Sequence, residues 1–143
     1  MKQFFQRYLP VFLALLTLTL LPLASCTSSS SAQSEFYNAG NANLSITGAQ
    51  FDQYYLIRFD TSASALTLAL PSAADIIDNL SSPYVGEVLS LAVSADGANT
   101  VTLIAGTNIM ISPSASTVAG NTTLTMYAEF DNVTSGSEEV TIY

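Results

Sequence analysis

Two residue types limit the chemistry open to this chain of 143 residues: cysteine, which occurs once, and histidine, which does not occur. The single thiol, Cys26, is a candidate nucleophile or a site of covalent modification. Without histidine, the chain cannot pair a serine or cysteine nucleophile with a histidine base, or bind a metal through imidazole. It also contains no glycine-rich phosphate loop and no Gly-x-Ser-x-Gly turn. Covalent modification of Cys26 is therefore the strongest chemical candidate, followed by the carboxylates.

One carboxylate lies in a sequence with a weak catalytic likeness. Asp60 and Thr61 resemble the start of the Asp-Thr-Gly motif of aspartic proteases, but Ser62 replaces the glycine and no second copy follows. Proteases of that kind need two aspartates that share a proton. We therefore interpret Asp60 as a strand-end residue. We expect Arg58 to pair with a local acid, such as Asp60 on the same strand face, rather than to bind an anion.

Three further acids, Asp131, Glu138 and Glu139, bracket a turn at 133–137. Loop carboxylates of this kind are ligands that Ca²⁺ prefers, but the regular Asp-x-Asp-x-Asp-Gly spacing is missing. We therefore favour solvated acids over a metal site. The sequence predicts a protein that is not an enzyme, with no catalytic, cofactor-binding or metal-binding residues.

The residues before Cys26 have the three parts of an export signal. Lys2 and Arg7 supply a positive start, and an apolar run follows from Val11 to Leu21. This run is shorter than the roughly 20 residues that a membrane-spanning helix needs, and Pro22 ends it. We predict a signal peptide at residues 1–25.

The last four residues of this region, Leu23-Ala24-Ser25-Cys26, resemble the lipobox of bacterial lipoproteins. The resemblance implies that the thiol of Cys26 receives a diacylglyceryl group, with palmitate among the acyl chains, and that the chain is cut just before it. In this family, an aspartate after the cysteine retains the protein at the inner membrane, and here Thr27 stands in its place. The resemblance therefore implies a lipid-anchored, extracytoplasmic protein of the cell outer membrane. The alternative is an ordinary secretory signal with an accidental cysteine.

After Cys26, a serine-rich stretch without apolar periodicity predicts a flexible tether over residues 26–41, followed by one folded domain at 42–143. The exported part keeps a single basic residue, Arg58, against eleven acidic ones, which is a net charge of −10. Such a surface repels nucleic-acid phosphates and anionic headgroups. We therefore exclude nucleic acid as a partner and expect the lipid on Cys26 to make the membrane contact.

The folded part has the period-two alternation of strands with one buried face. Turn signals separate the runs, for example Asp96-Gly97, Gly120-Asn121 and Ser135-Gly136-Ser137. The pattern predicts an all-β fold of about eight strands, a β-sandwich or jelly roll. The alternating or apolar runs are 43–47, Tyr54–Phe59, Leu66–Leu70, Leu89–Val93, Val101–Leu103, Ile109–Ile111, Leu124–Phe130 and Val140–Ile142.

One segment instead has helical spacing. Apolar residues at 73, 76, 77 and 80 share one helical face, Ser72 is a suitable N-cap, and Asp75 is an acid in the first turn. We predict a helix of about two turns that closes one end of the sandwich.

Residues 64–143 resemble a β-rich domain of structural proteins from bacteriophages and large viruses, in which it is fibre- or capsid-associated. The resemblance is carried by Leu66-Thr67-Leu68-Ala69-Leu70-Pro71-Ser72-Ala73, by Asn99–Leu103 and by the closing segment Asn132–Tyr143. It implies an architecture and a structural role, not a catalytic one. It also implies association of the domain with copies of itself as a trimer.

Two classes of function follow. The first is a lipid-anchored structural or interaction module, whose uncharged outward threonines, such as Thr100 and Thr102, or Thr123 and Thr125, suit contact with another subunit. The second is a binder of a small molecule or glycan through the sandwich loops. Exposed aromatic rings would favour the second class. The candidates are Tyr54, Tyr55, Tyr127 and Tyr143.

Overall fold

The computed structural model describes residues 35–143, which form ten strands, two α-helices and one 3₁₀ turn. The predicted β-rich fold is confirmed. The predicted numbers of elements, about eight strands and one helix, were too low. The α-helices are α1 (Gly48–Gln53) and α2 (Ala73–Asp78), and the 3₁₀ turn is Pro113–Ala115. The strands are β1 (Glu35–Gly40), β2 (Leu44–Ser45), β3 (Tyr54–Phe59), β4 (Leu66–Ala69), β5 (Val88–Ala95), β6 (Val101–Ile104), β7 (Ile109–Ile111), β8 (Thr117–Val118), β9 (Thr122–Asn132) and β10 (Glu139–Ile142).

The strands form two sheets. The large sheet has the order β1-β3-β5-β9-β10-β7, and the small sheet has the order β2-β4-β6-β8. The first nine strands alternate between the two sheets along the chain. A strand and the next strand of its own sheet can therefore run in the same direction, because the chain crosses to the other sheet in between.

Five of the eight strand pairs are parallel, and the alternation accounts for four of them: β1 with β3, β3 with β5, β2 with β4, and β4 with β6. The fifth is β7 with β10. Only β5 with β9, β9 with β10, and β6 with β8 are antiparallel. The Greek keys of a jelly roll consist of antiparallel strands. The pairing in residues 35–143 therefore differs from the jelly-roll arrangement that the strand count suggested.

One hydrophobic core joins the two sheets. The alternating residues predicted to point inward do so: Leu68 of β4, Val93 of β5, Val101 of β6 and Phe130 of β9 are all fully buried. Burial of a side chain of this size contributes about 1.5–3 kcal/mol, so the shared core is the main stabilising feature.

The large sheet begins upstream of the boundary predicted at residue 42. Strand β1, at Glu35–Gly40, pairs in parallel with β3, although these residues were assigned to the tether. Tyr37 on β1 also stacks on the buried ring of Tyr54, with ring centroids 5.1 Å apart. The sequence of β1 does not alternate between apolar and polar residues over its length, so the pattern did not indicate a strand there.

The predicted helix is present as α2. The Ser72 side chain accepts a hydrogen bond from the backbone N–H of Asp75, and Ile76 and Ile77 face the core. Its N-cap and its acidic first turn are therefore those expected from the sequence.

The second helix, α1, was not predicted. Thr47 and Gln50 form a capping box, in which each side chain bonds to the backbone N–H of the other residue. The helix packs against α2 at Gly48, where an added Cβ would lie 1.9 Å from the backbone oxygen of Asp75. Each helix follows a strand of the small sheet and leads into the large sheet. No helix within residues 35–143 has the length and apolar character needed to cross a membrane.

Candidate functional site

A polar cleft lies where β3 and β5 end and β9 begins. Parallel strands end at the same edge of a sheet, and the antiparallel β9 starts there, so Arg58 lies opposite Ser94 and Ser94 lies opposite Thr123. The cleft is open and has a volume of about 530 Å³. We call it the Arg58 cleft, and its lining is Arg58, Ser62, Ser94, Asp96, Gly97, Asn121, Thr122 and Thr123.

Arg58 forms an ion pair with Asp96 through its Nε. Arg58 therefore pairs with an acid, as expected, but the acid is Asp96 rather than Asp60. Asp60 lies just beyond the end of β3, where its carboxylate accepts the backbone N–H of Ser62 at 3.0 Å in a local turn. Asp96 lies just beyond the end of β5, the neighbouring strand, and is therefore within reach of Arg58. The Arg58 side chain remains 55% exposed and lines the cleft.

A chain of hydroxyl groups supports Asp96 from the other side. Thr123 Oγ1 donates to Ser94 Oγ at 3.1 Å, and Ser94 Oγ donates to Asp96 Oδ1 at 2.6 Å. The Ser94 hydrogen bond holds the pKa of Asp96 below its ordinary value of 3.8, against the effect of partial burial, and Arg58 adds to the lowering.

This arrangement suits recognition better than catalysis. A carboxylate with a lowered pKa is a weak base, so Asp96 does not draw the proton from Ser94 at neutral pH. Both Asp96 oxygens are already occupied by donors. The network therefore fixes the positions of Arg58 and the hydroxyl groups, which is how a binding surface is preorganised.

The protease-like residues are not arranged for acid catalysis. Asp60 is exposed, and its pKa lies below 3.8, chiefly because Ser62 donates hydrogen bonds to it, whereas a general acid needs a raised pKa. Thr61 is fully buried and faces away from solvent. Its backbone oxygen accepts a 2.7 Å bond from the Asn99 side chain. Both residues therefore serve the turn after β3.

The three acids around the 133–137 turn point to separate partners. Glu138 is buried and accepts the backbone N–H of Gly136 at 3.0 Å, whereas Asp131 accepts the Thr141 hydroxyl at 2.6 Å. Glu139 is exposed. Within residues 35–143, no group of three histidine, cysteine, aspartate or glutamate side chains could hold a metal ion.

The four candidate tyrosines lie at different places. Tyr54 is buried under Tyr37, and Tyr55 is exposed on β3. Tyr127 and Tyr143 form an exposed aromatic pair on the outer face of the large sheet, with ring centroids 6.1 Å apart. Their backbones exchange hydrogen bonds of 2.9 and 3.0 Å. The aromatic pair and the Arg58 cleft are therefore separate surfaces.

Sequence reasoning did not assign Ser94, Asp96 or Asn121 to a site. The turn signals Asp96-Gly97 and Gly120-Asn121 did mark the loops that contribute them, and Asn121 adopts the left-handed conformation, with φ of 58°. Which loops meet depends on the order of strands in the sheet, and no local pattern encodes that order.

Comparisons with protein families, with curated proteins and with solved structures found no match for this chain. The lipoprotein and viral resemblances therefore remain predictions. Cys26 lies outside the described residues, and so does the whole of the predicted signal peptide.

Proposed function

We propose that this protein is a lipid-anchored interaction module of the cell envelope that works by binding rather than by catalysis. Cys26 carries the lipid and the folded domain faces away from the cytoplasm, on the outer membrane. The lipobox-like residues before Cys26 support the anchor. Two acyl chains hold a protein durably at a membrane, whereas one chain holds it only marginally.

The observation that carries the interaction role is the exposed aromatic pair, Tyr127 and Tyr143. They are 44% and 47% exposed, their rings lie side by side, and the exposed Met110 lies on the neighbouring edge strand β7, opposite Thr141. Contiguous exposed apolar surface marks contact sites on proteins. A structural role of the kind implied by the viral resemblance, including self-association as a trimer, belongs to this proposal.

Fractionation of cells tests the anchor. The wild-type chain should sediment with membranes and incorporate labelled fatty acid, whereas Cys26→Ser should move to the soluble fraction. Ser30→Ala, in the tether, is the matched control and should stay with the membranes. A wild-type chain that takes up no fatty acid would remove the anchor from the proposal.

A second candidate function is the binding of a small polar molecule or glycan. The Arg58 cleft favours it, because the cleft lies between loops and combines guanidinium, carboxylate, amide and hydroxyl groups. Arg58 is balanced by Asp96, and Asp60 adds a further negative charge nearby. A ligand rich in neutral hydroxyl groups therefore fits the cleft better than a polyanion does.

Titration calorimetry with maltooligosaccharides, chitooligosaccharides and uronic-acid oligosaccharides tests this second function. Arg58→Gln should abolish any heat of binding, and Thr102→Ser, on the exposed face of β6 in the small sheet, should leave it unchanged. Heat that persists in Arg58→Gln would place the ligand elsewhere.

A further inference from the structure

An exposed apolar turn lies directly before β5, at residues 84–87. The backbone N–H of Glu87 donates to the carbonyl oxygen of Tyr84 at 3.1 Å, and Gly86 has a φ of 85°. A positive φ at the third position is typical of a type II turn. We call these four residues the Tyr84 turn. Tyr84 and Val85 are 60% and 61% exposed, so two adjacent apolar side chains stand at its tip.

The Tyr84 turn lies at the end of the domain where the chain enters the large sheet. Strands β1, β3 and β5 are parallel, so all three begin at this end. Glu35, the first residue of β1, lies in the row of Ser90 when the register of β3 is continued. The Glu87 carbonyl accepts the backbone N–H of Phe130 on β9, which keeps the turn in line with β5. Because Glu87 is three residues before Ser90, the turn extends about 10 Å beyond the row of Glu35.

The chain between the proposed anchor and the sheet is short. Glu35 is nine residues after Cys26, and nine residues span at most about 30 Å. Strands β1 and β5 are separated by β3 alone, which places them about 10 Å apart. The Tyr84 turn is therefore within reach of the lipid surface that a lipid on Cys26 enters.

The geometry points to that lipid surface as the partner of the Tyr84 turn, with Tyr84 and Val85 in the headgroup region. The inference rests on the proposed anchor and names a second, non-covalent contact with the same membrane. Tyrosine suits this position because its ring is apolar and its hydroxyl is polar, as in the aromatic belts of membrane proteins. Two side chains bury too little area to hold a protein alone, so the contact depends on the lipid on Cys26, which raises the effective concentration of the turn at the surface.

Charge determines which lipid the turn accepts. Strand β9 ends and β10 begins at the same end of the domain, and they carry the exposed acids Asp131 and Glu139 there. Glu87 accepts the backbone N–H of Tyr84 at 3.3 Å, which holds its carboxylate at the turn. Anionic headgroups repel these acids, whereas a zwitterionic layer without net charge does not. The partner is therefore a zwitterionic lipid surface.

This orientation leaves the Arg58 cleft accessible. Arg58 lies opposite Ser94, near the other end of β5. Ser94 is seven residues after Glu87, which corresponds to about 23 Å along the strand. The cleft therefore faces away from the membrane, and a ligand in it does not compete with the lipid contact.

Tryptophan fluorescence tests the contact, because the chain contains no tryptophan and each variant then has a single emitter. The exported chain is coupled through its only thiol, that of Cys26, to maleimide-bearing lipid in phosphatidylcholine vesicles brominated near the top of the acyl chains. Tyr84→Trp should lose about half of its emission relative to unbrominated vesicles, because interfacial side chains lie about 5–10 Å into the boundary of headgroups and acyl chains. Tyr143→Trp is the matched control.

The control places the same substitution at another exposed tyrosine. Tyr143 exchanges backbone hydrogen bonds with Tyr127, which lies opposite Ser90, so Tyr143 is in the row of Glu35 and about 10 Å farther from the lipid than Glu87. Tyr143→Trp should lose less than about a tenth of its emission, because this depth keeps the ring outside the acyl boundary.

A charge at the tip of the turn gives a second readout. Val85→Asp, added to Tyr84→Trp, should restore most of the emission, because a carboxylate is costly to place in lipid. Ala98→Asp, in the exposed loop after β5 at the opposite end of the domain, adds the same charge and should leave the quenching unchanged. Circular dichroism of each variant checks that it is folded.

Quenching of Tyr84→Trp that Val85→Asp relieves supports the lipid contact. Three results would overturn it: unquenched emission of Tyr84→Trp, quenching that survives Val85→Asp, or quenching of Tyr143→Trp that equals or exceeds that of Tyr84→Trp. The last of these would place the outer face of the large sheet on the membrane instead of the turn.

This experiment and the fractionation can fail separately, because chemical coupling supplies the anchor whether or not cells attach lipid to Cys26. Failure of the Cys26→Ser fractionation would remove the natural anchor and leave the measured contact between turn and lipid standing. Unquenched emission of Tyr84→Trp would remove the turn contact and leave the anchor standing.

Discussion

Asp75 Oδ2 accepts a 2.6 Å hydrogen bond from the backbone N–H of Gly48, and this bond joins the start of α1 to the first turn of α2. The two residues are 27 positions apart in the chain. Hydrogen bonds to a charged acceptor are the stronger ones, contributing about 1.5–3 kcal/mol. Because each helix has only six residues, neither is stable alone, and their contact stabilises both.

Gly48→Ala should destabilise the fold strongly. The new Cβ would lie 1.9 Å from the Asp75 backbone oxygen, so the helices must move apart. We expect a loss of more than about 2 kcal/mol in the free energy of unfolding, measured by urea denaturation. Ala49→Ser, on the exposed side of the same turn, is the control and should change it by less than about 0.5 kcal/mol. Equal stability of Gly48→Ala and wild type would contradict the close packing.

Thr61→Val should stabilise the protein. The Thr61 side chain is fully buried, and its Oγ1 has no hydrogen-bond partner within residues 35–143. Valine has nearly the same shape without the desolvated hydroxyl, so we expect a gain of about 1–2 kcal/mol in the free energy of unfolding. Thr61→Ser keeps the hydroxyl and loses a methyl group, and it should lower stability. A loss of stability in Thr61→Val would indicate that a water or another group satisfies this hydroxyl.

Stability should fall in acid because of Asp96. Its folded-state pKa lies below the ordinary 3.8, so its contribution is present above that pH and is lost as the pH falls through the folded pKa. Ser94→Ala removes the largest cause of the lowering and should raise the pKa of Asp96 towards 3.8. Carboxyl NMR titration measures the shift directly. An unchanged Asp96 midpoint in Ser94→Ala would assign the lowering to Arg58 instead.

Strand β1 should contribute measurably to stability, although it lies in the predicted tether. Tyr37→Ala removes the ring that stacks on Tyr54, and we expect a loss of about 1–3 kcal/mol in the free energy of unfolding. Glu35→Gln, on the same strand and exposed, is the control and should have little effect. If Tyr37→Ala unfolds at the same urea concentration as wild type, β1 is not part of the stable sheet.

Short-range patterns predicted much of the local structure. The alternation of Leu89, Leu91 and Val93 on β5 gave the buried face correctly, and Ser72 with Asp75 located the start of α2. Helix α1 was missed although its capping box, Thr47 with Gln50, is visible in the sequence. Phe51 is the only large apolar residue on the buried side of this helix, so the apolar pattern was too short to indicate a helix.

By itself, the sequence determined which residues point inward, where the turns lie, the charge balance of the exported part and the predicted lipidation of Cys26. These features depend on residue type and on neighbours a few positions apart. Only the tertiary structure decided that β3 and β5 lie side by side in parallel, that Arg58 pairs with Asp96 instead of Asp60, and that Gly48 meets Asp75. Those contacts join residues 27 to 38 positions apart. They depend on the order of strands within each sheet, which the packing of the whole core selects and no local pattern of side chains specifies.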